Sequence, residues 1–179
     1  MDWIGHHNDI AHWGMGVERS GPIEVDATRD WTWPEFSGYN TPVYYDIRCR
    51  YAGGVTSSIS NKNRKGIKWI GEDGWIWVDR KGRESSNPAL LAEGFETGPT
   101  KVYNSPNHMT NFLQCIRNRE ECIAPAEIGH RSITPGHLGY VSQELGRKLQ
   151  WDPGKEVVVK DKEANELLAV VNYRAPWNA

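Results

Sequence analysis

The chain has 179 residues, a length that predicts one domain. Its 21 basic and 23 acidic residues leave a net charge of −2, which excludes the strongly basic surface of a typical nucleic-acid-binding protein. No apolar run approaches the ~20 residues that span a bilayer and no signal peptide opens the sequence, so a membrane protein is excluded too. Three cysteines without a C-x-x-C pair exclude a disulfide framework and favour a reducing compartment, which predicts a cytoplasmic protein.

The first predicted element is a helix over residues 2–15, which Gly14 and Gly16 bring to an end. The apolar spacing predicts that this helix faces the core through a small set of side chains. These predicted core residues are Ile4, Ile10, Ala11 and Met15.

A polar stripe follows one face of this helix. Asp2, His6, Asp9 and Trp13 are spaced i, i+4, i+7 and i+11, and residues at this spacing share a face. An imidazole between two carboxylates can transfer protons near neutral pH, so the stripe is a candidate catalytic site. A solvated helix face is the alternative, and a metal site is not predicted because the spacing differs from H-E-x-x-H.

Strand and turn signals come next. Residues 21–27 alternate as a short strand, and the aromatic stretch over residues 31–42 is interrupted by proline and glycine, which predicts a loop. Two hairpins are then predicted, one formed by residues 43–51 and 55–59 and one by residues 67–70 and 75–79.

The second hairpin has apolar residues on both faces, whereas a strand pair with one solvated face alternates apolar and polar residues. A second layer must cover the additional face, either within the domain or from another subunit. Aromatic residues are enriched at interfaces, so we expect a homo-oligomer, a dimer or tetramer, formed through the β-sheet. The predicted faces consist of Ile67, Trp69, Trp75 and Trp77 on one side and of Ile70, Ile76 and Val78 on the other.

Three helices are predicted in the second half of the chain. The first spans residues 106–119 with Ser105 as N-cap, and the last spans residues 161–171 with Asp161 as N-cap. Between them, a longer helix lies within residues 132–149, capped by Ser132 or Thr134. Strands followed by helices predict an α+β domain with a mostly antiparallel, open β-sheet and helices packed on one face.

Residues 2–9, Asp-Trp-Ile-Gly-His-His-Asn-Asp, resemble the D-x-G-x-H-x-x-D motif in the C-terminal domain of the Gfo/Idh/MocA oxidoreductases, with the glycine one place later. The sequence is most similar to a bacterial branch with D-W-x-x-H-H-x-D-I-A-x-W-G. The resemblance extends over essentially the whole chain. Further motifs of that branch match residues 21–25, 66–76, 111–117, 129–132, 145–153 and 174–177.

This resemblance implies a two-domain dehydrogenase in which an N-terminal Rossmann domain holds NAD or NADP and the C-terminal domain binds a sugar or polyol. By motif match, His6 is implied as the general acid/base at the reacting hydroxyl, and Asp2 as the carboxylate that orients it or binds substrate. Asp9 is implied in substrate contact or in holding the helix. His7 and Trp13 are further predicted substrate contacts.

The dinucleotide-binding half of such an enzyme is missing from the sequence. The only fingerprint-like segment, Gly14-Met-Gly16, follows a predicted helix instead of a strand, and the family's E-K-P motif does not occur. We therefore expect residues 1–179 to form a single substrate-binding and oligomerisation domain of a longer enzyme, with its own Rossmann domain as partner. Alone it would hold no cofactor and be inactive. An export signal in the missing part would place the enzyme in the periplasm.

Another function class stays open. The chain has nine tryptophans where about two or three are expected, and a carbohydrate-binding module without catalysis could use them as a stacking platform. Trp31, Trp33 and Tyr39 on the predicted loop are candidates for such stacking. A binding platform has no use for the Asp/His/Asp stripe, so the oxidoreductase domain is favoured.

Two further groups of polar residues lie outside the stripe. His130, Arg131 and Ser132 lie at the start of a predicted helix and could bind sugar hydroxyls or an anion there, although capping with a structural arginine is the alternative. The basic run over residues 62–68 predicts a solvated hairpin edge. At the end of the chain, residues 174–177 are expected to anchor the tail through Trp177.

Overall fold

A computed structural model describes residues 4–32, 35, 38, 42–92 and 103–169; of residues 29–31 it describes the backbone only. Among the described elements, one α-helix comes first and six strands follow it. Three further α-helices and two short strands complete the described part of the chain. In chain order they are α1 (Ile4–Met15), β1 (Glu24–Thr32), β2 (Tyr44–Arg50), β3 (Thr56–Ser60), β4 (Ile67–Gly71), β5 (Gly74–Val78), β6 (Arg83–Ser85), α2 (His108–Asn118), α3 (Ala126–Leu145), β7 (Leu149–Asp152), β8 (Val157–Val158) and α4 (Lys162–Leu168).

The strands form two antiparallel sheets, a larger one in the order β3-β2-β1-β7-β8 and a smaller one in the order β4-β5-β6. The predicted α+β class with antiparallel pairing is therefore confirmed. Both predicted hairpins are present, and the short strands β6, β7 and β8 were not predicted. Within the described part of the chain, no helix combines the length and apolar character needed to cross a bilayer.

The larger sheet buries one face against α3. Ile47 and Cys49 of β2 alternate with exposed Arg48 and Arg50, so the strand has one face in the core and one in water. Helix α3 approaches the larger sheet closely at Gly139, where a Cβ atom would lie 2.5 Å from Ile47 Cδ1 of β2. Only a glycine lets α3 lie this close to the sheet, and this contact fixes the depth of the core.

The opposite face of the larger sheet carries a charged cluster around Glu24. The carboxylate of Glu24 accepts hydrogen bonds from Gln150 (2.9 Å) and Arg50 (3.2 Å) and lies 3.0 Å from Lys148 Nζ. The bonds from Gln150 and Lys148 lower the pKa of Glu24 to about 2, so the carboxylate stays ionised over the physiological range. This sheet face is polar in the described residues.

The smaller sheet lies against α1. The indole of Trp69 on β4 approaches the backbone of α1 so closely that a Cβ atom at Gly14 would lie 2.3 Å from Trp69 Nε1. The Trp69 Nε1–H points to the carbonyl of Ala11 at 3.5 Å. The indole of Trp69 therefore holds one end of this sheet on the helix.

The register of the second hairpin differs from the predicted one. Ile67 pairs with Val78 and Trp69 with Ile76, and directly paired residues share a face. Trp75 and Trp77 thus lie on the face opposite Trp69. That second face is covered by cations of the same chain: the Arg64 guanidinium lies 3.4 Å from the Trp77 ring centroid and the Lys68 ammonium 4.2 Å from that of Trp75. On the same face, Ile70 remains 77% exposed.

Helix boundaries also differ from the prediction. Helix α2 begins at His108 with Asn107, not Ser105, as its cap, and α3 begins at Ala126, six residues before Ser132. The hydroxyls of Ser132 and Thr134 do not cap α3; they donate to the carbonyls four residues earlier, as hydroxyls inside a helix do. The cap at Asp161 is confirmed, and α4 follows it.

Candidate functional site

A cleft of about 730 Å³ lies between α1, the smaller sheet and the start of α3. Helix α1 forms one wall, and the strand ends of β4 and β5 form another. The third wall is the segment that leads into α3. The lining residues are Gly5, His6, His7, Asp9, Ile10 and Trp13 from α1, Ile67, Val78, Asp79 and Arg80 from the sheet, and residues 123–126, 128, 129 and 132 from the third wall.

The structure brings together most of the residues predicted from the N-terminal stripe. His6, Asp9 and Trp13 line the cleft, as their spacing along α1 predicts, and His7, which that spacing places on an adjoining face, lines it too. Asp2 lies outside the described residues, so its predicted place beside His6 stays a prediction. The Trp13 side chain is 39% exposed, which leaves its ring accessible from the cleft.

Ser132 joins this site from the interior of α3, whereas the sequence predicted it at the start of a helix. Its hydroxyl lies 2.9 Å from Asp9 Oδ1 and 2.8 Å from the carbonyl of Ile128, and it can donate to either. The residue is 2% exposed, so the hydroxyl is held in place by packing. Ser132 therefore fixes the orientation of the Asp9 carboxylate at the wall of the cleft.

Behind the cleft, α1 is held by a buried polar network. The predicted core face of the helix is confirmed at Ile4 and Met15 but is wrong at Ile10. Ile10 is 41% exposed at the cleft, whereas Asn8 and His12 are buried at 4% and 0%. The Asn8 amide donates to the carbonyl of Ser132 (2.8 Å) and to His12 Nε2 (3.1 Å). The Tyr51 hydroxyl lies 2.9 Å from the same nitrogen. These hydrogen bonds pair the Asn8 amide nitrogen and His12 Nε2 and so favour their burial.

This network fixes the protonation of His12. The Asn8 amide must point an N–H at the Ser132 carbonyl, so the same nitrogen also presents an N–H to His12 Nε2. His12 Nε2 then accepts, and the ring is neutral with its proton on Nδ1, which has no hydrogen-bond partner in the described part of the chain. Burial lowers the pKa of His12, in agreement with a neutral ring. His12 supports the helix and does not reach the cleft.

One end of the cleft is positively charged. Burial first, and then the charges of Lys65, His6 and Arg80, lower the pKa of His7 and favour its neutral form. The carboxylate of Asp79 accepts the backbone N–H groups of Lys81 (2.7 Å) and Gly82 (2.9 Å), and these bonds lower the pKa of Asp79. The carboxylate of Asp9 and the cation of Arg80 thus line different walls of one cleft.

His130 and Arg131, the other predicted substrate contacts, do not line the cleft. The Arg131 guanidinium donates to the carbonyl of Pro153 (2.6 Å) and pairs with Glu127 and Glu156, and His130 Nε2 lies 3.0 Å from Glu156. Successive helix residues point about 100° apart, so only one member of this trio can face α1, and that is Ser132. The alternative interpretation of a structural arginine is the one the geometry supports.

The predicted stacking aromatics and the predicted tail anchor lie outside the residues whose side chains the structure describes, and the basic run has a structural role. Trp33, Tyr39 and Trp177 belong to undescribed positions, and nothing is described of the Trp31 side chain. The Arg64 guanidinium forms two hydrogen bonds with Glu84, of 2.7 and 2.6 Å, at the edge of the smaller sheet. Among the described residues, no three His, Cys, Asp or Glu side chains are grouped closely enough to hold a metal ion.

Comparison with known proteins gives a family and a fold. Residues 4–179 match the model of the Gfo/Idh/MocA type described as "Oxidoreductase family, C-terminal alpha/beta domain". No curated protein matches. Among solved structures, an aldose-aldose oxidoreductase from Caulobacter crescentus complexed with glycerol is similar over 82% of this chain and 45% of its own, with a TM-score of 0.57 and 15% identity.

A second similar structure is the putative oxidoreductase yvaA from Bacillus subtilis, with a TM-score of 0.48 and 14% identity over 84% of this chain and 51% of its own. At these identities, likeness between structures shows the fold alone. The chain spans about half the length of the two solved proteins it resembles.

Proposed function

Because this chain belongs to the Gfo/Idh/MocA oxidoreductase family as its C-terminal α/β domain, we propose that it is the substrate-binding part of an oxidoreductase that acts on a sugar or polyol. The observation that carries the proposal is the meeting of His6, Asp9 and Trp13 in one cleft, with Ser132 behind the carboxylate. A carboxylate, an imidazole and an exposed indole are the groups that bind hydroxyls and a sugar ring face.

In this proposal each cleft residue has one task. Asp9, held by Ser132, accepts hydrogen bonds from two substrate hydroxyls, and the Trp13 ring stacks on the apolar face of the sugar. His6 takes the proton from the reacting hydroxyl, or returns it in the reverse direction. Asp2 is proposed to orient His6, as the family motif implies, and His7 to contact the substrate from the positive end.

The described residues do not fit a dinucleotide cofactor. All their strand pairs are antiparallel, whereas a dinucleotide is held at the end of a parallel βαβ unit. We therefore propose that NAD or NADP is held by a Rossmann domain outside this chain. The tasks of the present residues are binding, orientation and proton exchange, and the chain alone is expected to be inactive.

An oligomer through the smaller sheet is part of the proposal. Ile70 is 77% exposed beside the Lys68–Trp75 pair, and a second subunit that packs there would bury it. The cations already cover Trp75 and Trp77, so the proposed contact is centred on Ile70. Light scattering on this chain and on Ile70→Glu tests it: a wild-type dimer or tetramer that becomes monomeric supports the contact, and a monomeric wild type contradicts it.

Ligand titration of this chain tests the substrate proposal. We expect a cyclitol such as myo-inositol, or glucose, to shift the NMR signals of the His6 ring and the Trp13 indole N–H, while the indole of buried Trp151, 7% exposed, stays unchanged as an internal control. Equal shifts at Trp13 and Trp151, or none at either, would contradict the proposal.

Calorimetry with NAD(H) is expected to show no binding to this chain, and micromolar binding would contradict the location proposed for the cofactor.

A second test uses the longer enzyme. Replacing His6 by Ala there is expected to lower kcat on the order of 10²-fold with a small change in KM, because a lost general acid/base affects the transition state more than binding. Unchanged turnover would mean that His6 has no part in proton exchange.

A further inference from the structure

Helix α2 presents a row of apolar side chains to solvent. Met109, Phe112, Leu113 and Ile116 are 58%, 52%, 49% and 49% exposed. Their spacing of i, i+3, i+4 and i+7 places all four on one helix face, which we name the α2 stripe. Core-facing helices normally bury such a stripe. In the described part of the molecule this one faces outward.

The rest of the domain does little to hold α2. The buried side of the helix is narrow: Asn111 Oδ1 accepts the backbone N–H of Ile123 at 3.0 Å, and Cys115 Sγ lies 3.5 Å from the carbonyl of Glu121. These partners belong to the segment directly after the helix. With the other described helices and strands, α2 has at most marginal contact. A helix of 11 residues is marginally stable alone in water, so its packing is incomplete without a further surface.

The α2 stripe is continuous with the candidate site. Met109 and Phe112 line a small depression together with Ile123 and Ala124. The same Ile123 and Ala124 line the cleft that holds His6 and Asp9. A body that packs on the stripe would therefore also border the mouth of the cleft.

We propose that the α2 stripe is the surface on which the cofactor-binding domain of the complete enzyme docks. The inference rests on the proposed function, in which such a domain precedes this chain. Two observations favour this occupant over a second copy. The chain covers 45% of the solved oxidoreductase with a similar fold, and the proposed function assigns a cofactor-binding domain to the part that this chain does not cover.

The second observation is the point of attachment. In the proposed function the cofactor-binding domain is joined to this chain ahead of α1, whose residues Gly5 and His6 line the same cleft as Ile123 and Ala124. A domain tethered at α1 has a high effective concentration at the α2 stripe. Docked there, it excludes water from the cleft mouth and brings a cofactor to the side of His6.

Hydrogen exchange of the longer polypeptide and of this chain tests the proposal. In this chain we expect the α2 amides to exchange fast, at the rate of a locally opening helix. In the longer protein we expect them to exchange at least about tenfold more slowly, while the amides of β4 next to Ile70 keep their rate. Equal exchange rates of the α2 amides in the two proteins would overturn the proposal. It would also be overturned if protection of these amides in this chain rose with protein concentration, because that result would assign the stripe to a second copy.

Charge substitutions separate docking from folding. Phe112→Glu with Ile116→Glu is expected to leave the thermal midpoint of this chain nearly unchanged, because both side chains are already half exposed, and to abolish α2 protection in the longer protein. The matched control, Gln114→Glu with Arg117→Glu, alters exposed polar positions of the same helix and is expected to retain the protection. If both double variants lose the α2 protection in the longer protein, or both retain it, the stripe is not the docking face.

Cofactor binding by the longer protein distinguishes two kinds of failure. If that protein binds NAD or NADP but leaves α2 unprotected, the docking inference fails and the proposed function stands. If it binds neither cofactor, the proposed function fails and the inference fails with it.

Discussion

Helices α1 and α2 have 12 and 11 residues and are attached to the domain in opposite ways. Helix α1 is joined to α3 by the Asn8–Ser132 bond, to the residue after β2 by the His12–Tyr51 bond, and to the smaller sheet by Trp69. Helix α2 is bonded mainly to the segment that follows it and leaves its apolar stripe in solvent. The helix proposed to carry the catalytic groups is fixed by directional polar bonds, whereas the helix proposed to meet a partner keeps its apolar area exposed.

The largest effect is expected from the network under α1. Asn8→Ala removes the donor to the buried Ser132 carbonyl and one of the two donors to His12 Nε2, which costs about 2–3 kcal/mol of unfolding free energy. The matched change on α2, Gln114→Ala at an exposed position, is expected to stay within about 0.5 kcal/mol. Urea denaturation of both variants measures the difference, and similar midpoints would remove the contrast between the helices.

The next effect concerns the contact of α1 with the smaller sheet. Gly14→Ala places a Cβ atom 2.3 Å from Trp69 Nε1, and the displaced indole is expected to cost about 1–3 kcal/mol, more than the ~1 kcal/mol that alanine contributes to a helix. Gly129→Ala on α3 is the control, because no atom lies within 4 Å of its Cβ position, and it is expected to raise the thermal midpoint. A more stable Gly14→Ala protein would show that Trp69 does not hold the sheet on α1.

A smaller effect is expected from pH. Burial lowers the pKa of His12 in the folded state, so the unfolded chain binds more protons as pH falls through its unperturbed value near 6.5. Stability is therefore present above that value and is lost between about pH 7 and 5, by at most about 1.4 kcal/mol per pH unit for this one proton. The pKa values of half-buried His7 and of His137 are lowered as well, so both act in the same direction. His12→Gln is expected to flatten the profile, and an unchanged slope would exclude His12 as its source.

The smallest effect is electrostatic and tests how closely α1 is coupled to the loop before β4. Lys65→Gln removes the charge that, after burial, lowers the pKa of His7 most, so that pKa is expected to rise in an NMR titration. The control is Arg83→Gln on β6, which is not among the charges that act on His7. A His7 pKa that responds equally to both substitutions would mean that only the overall charge of the domain matters.

The sequence predicted well where the signal is local. The hairpin turn at Gly53-Gly54 and the cap at Asp161 depend on a few adjacent residues, and both are present. It failed at Ser132 and Ile10, since the side to which each points depends on a distant partner. A hydroxyl of the Ser/Thr class looks like a cap in sequence, but inside α3 it bonds the preceding turn.

The sequence by itself determined the family, the α+β class and the stripe of His6, Asp9 and Trp13, because each follows from a motif or a helical period within one segment. The tertiary structure alone decided that Ser132 meets Asp9 across 123 positions and that His12 meets Tyr51 across 39. It also decided which apolar face stays open, on α2. Such pairings depend on how whole elements pack, and the period of a single helix carries no information about the surface that covers it.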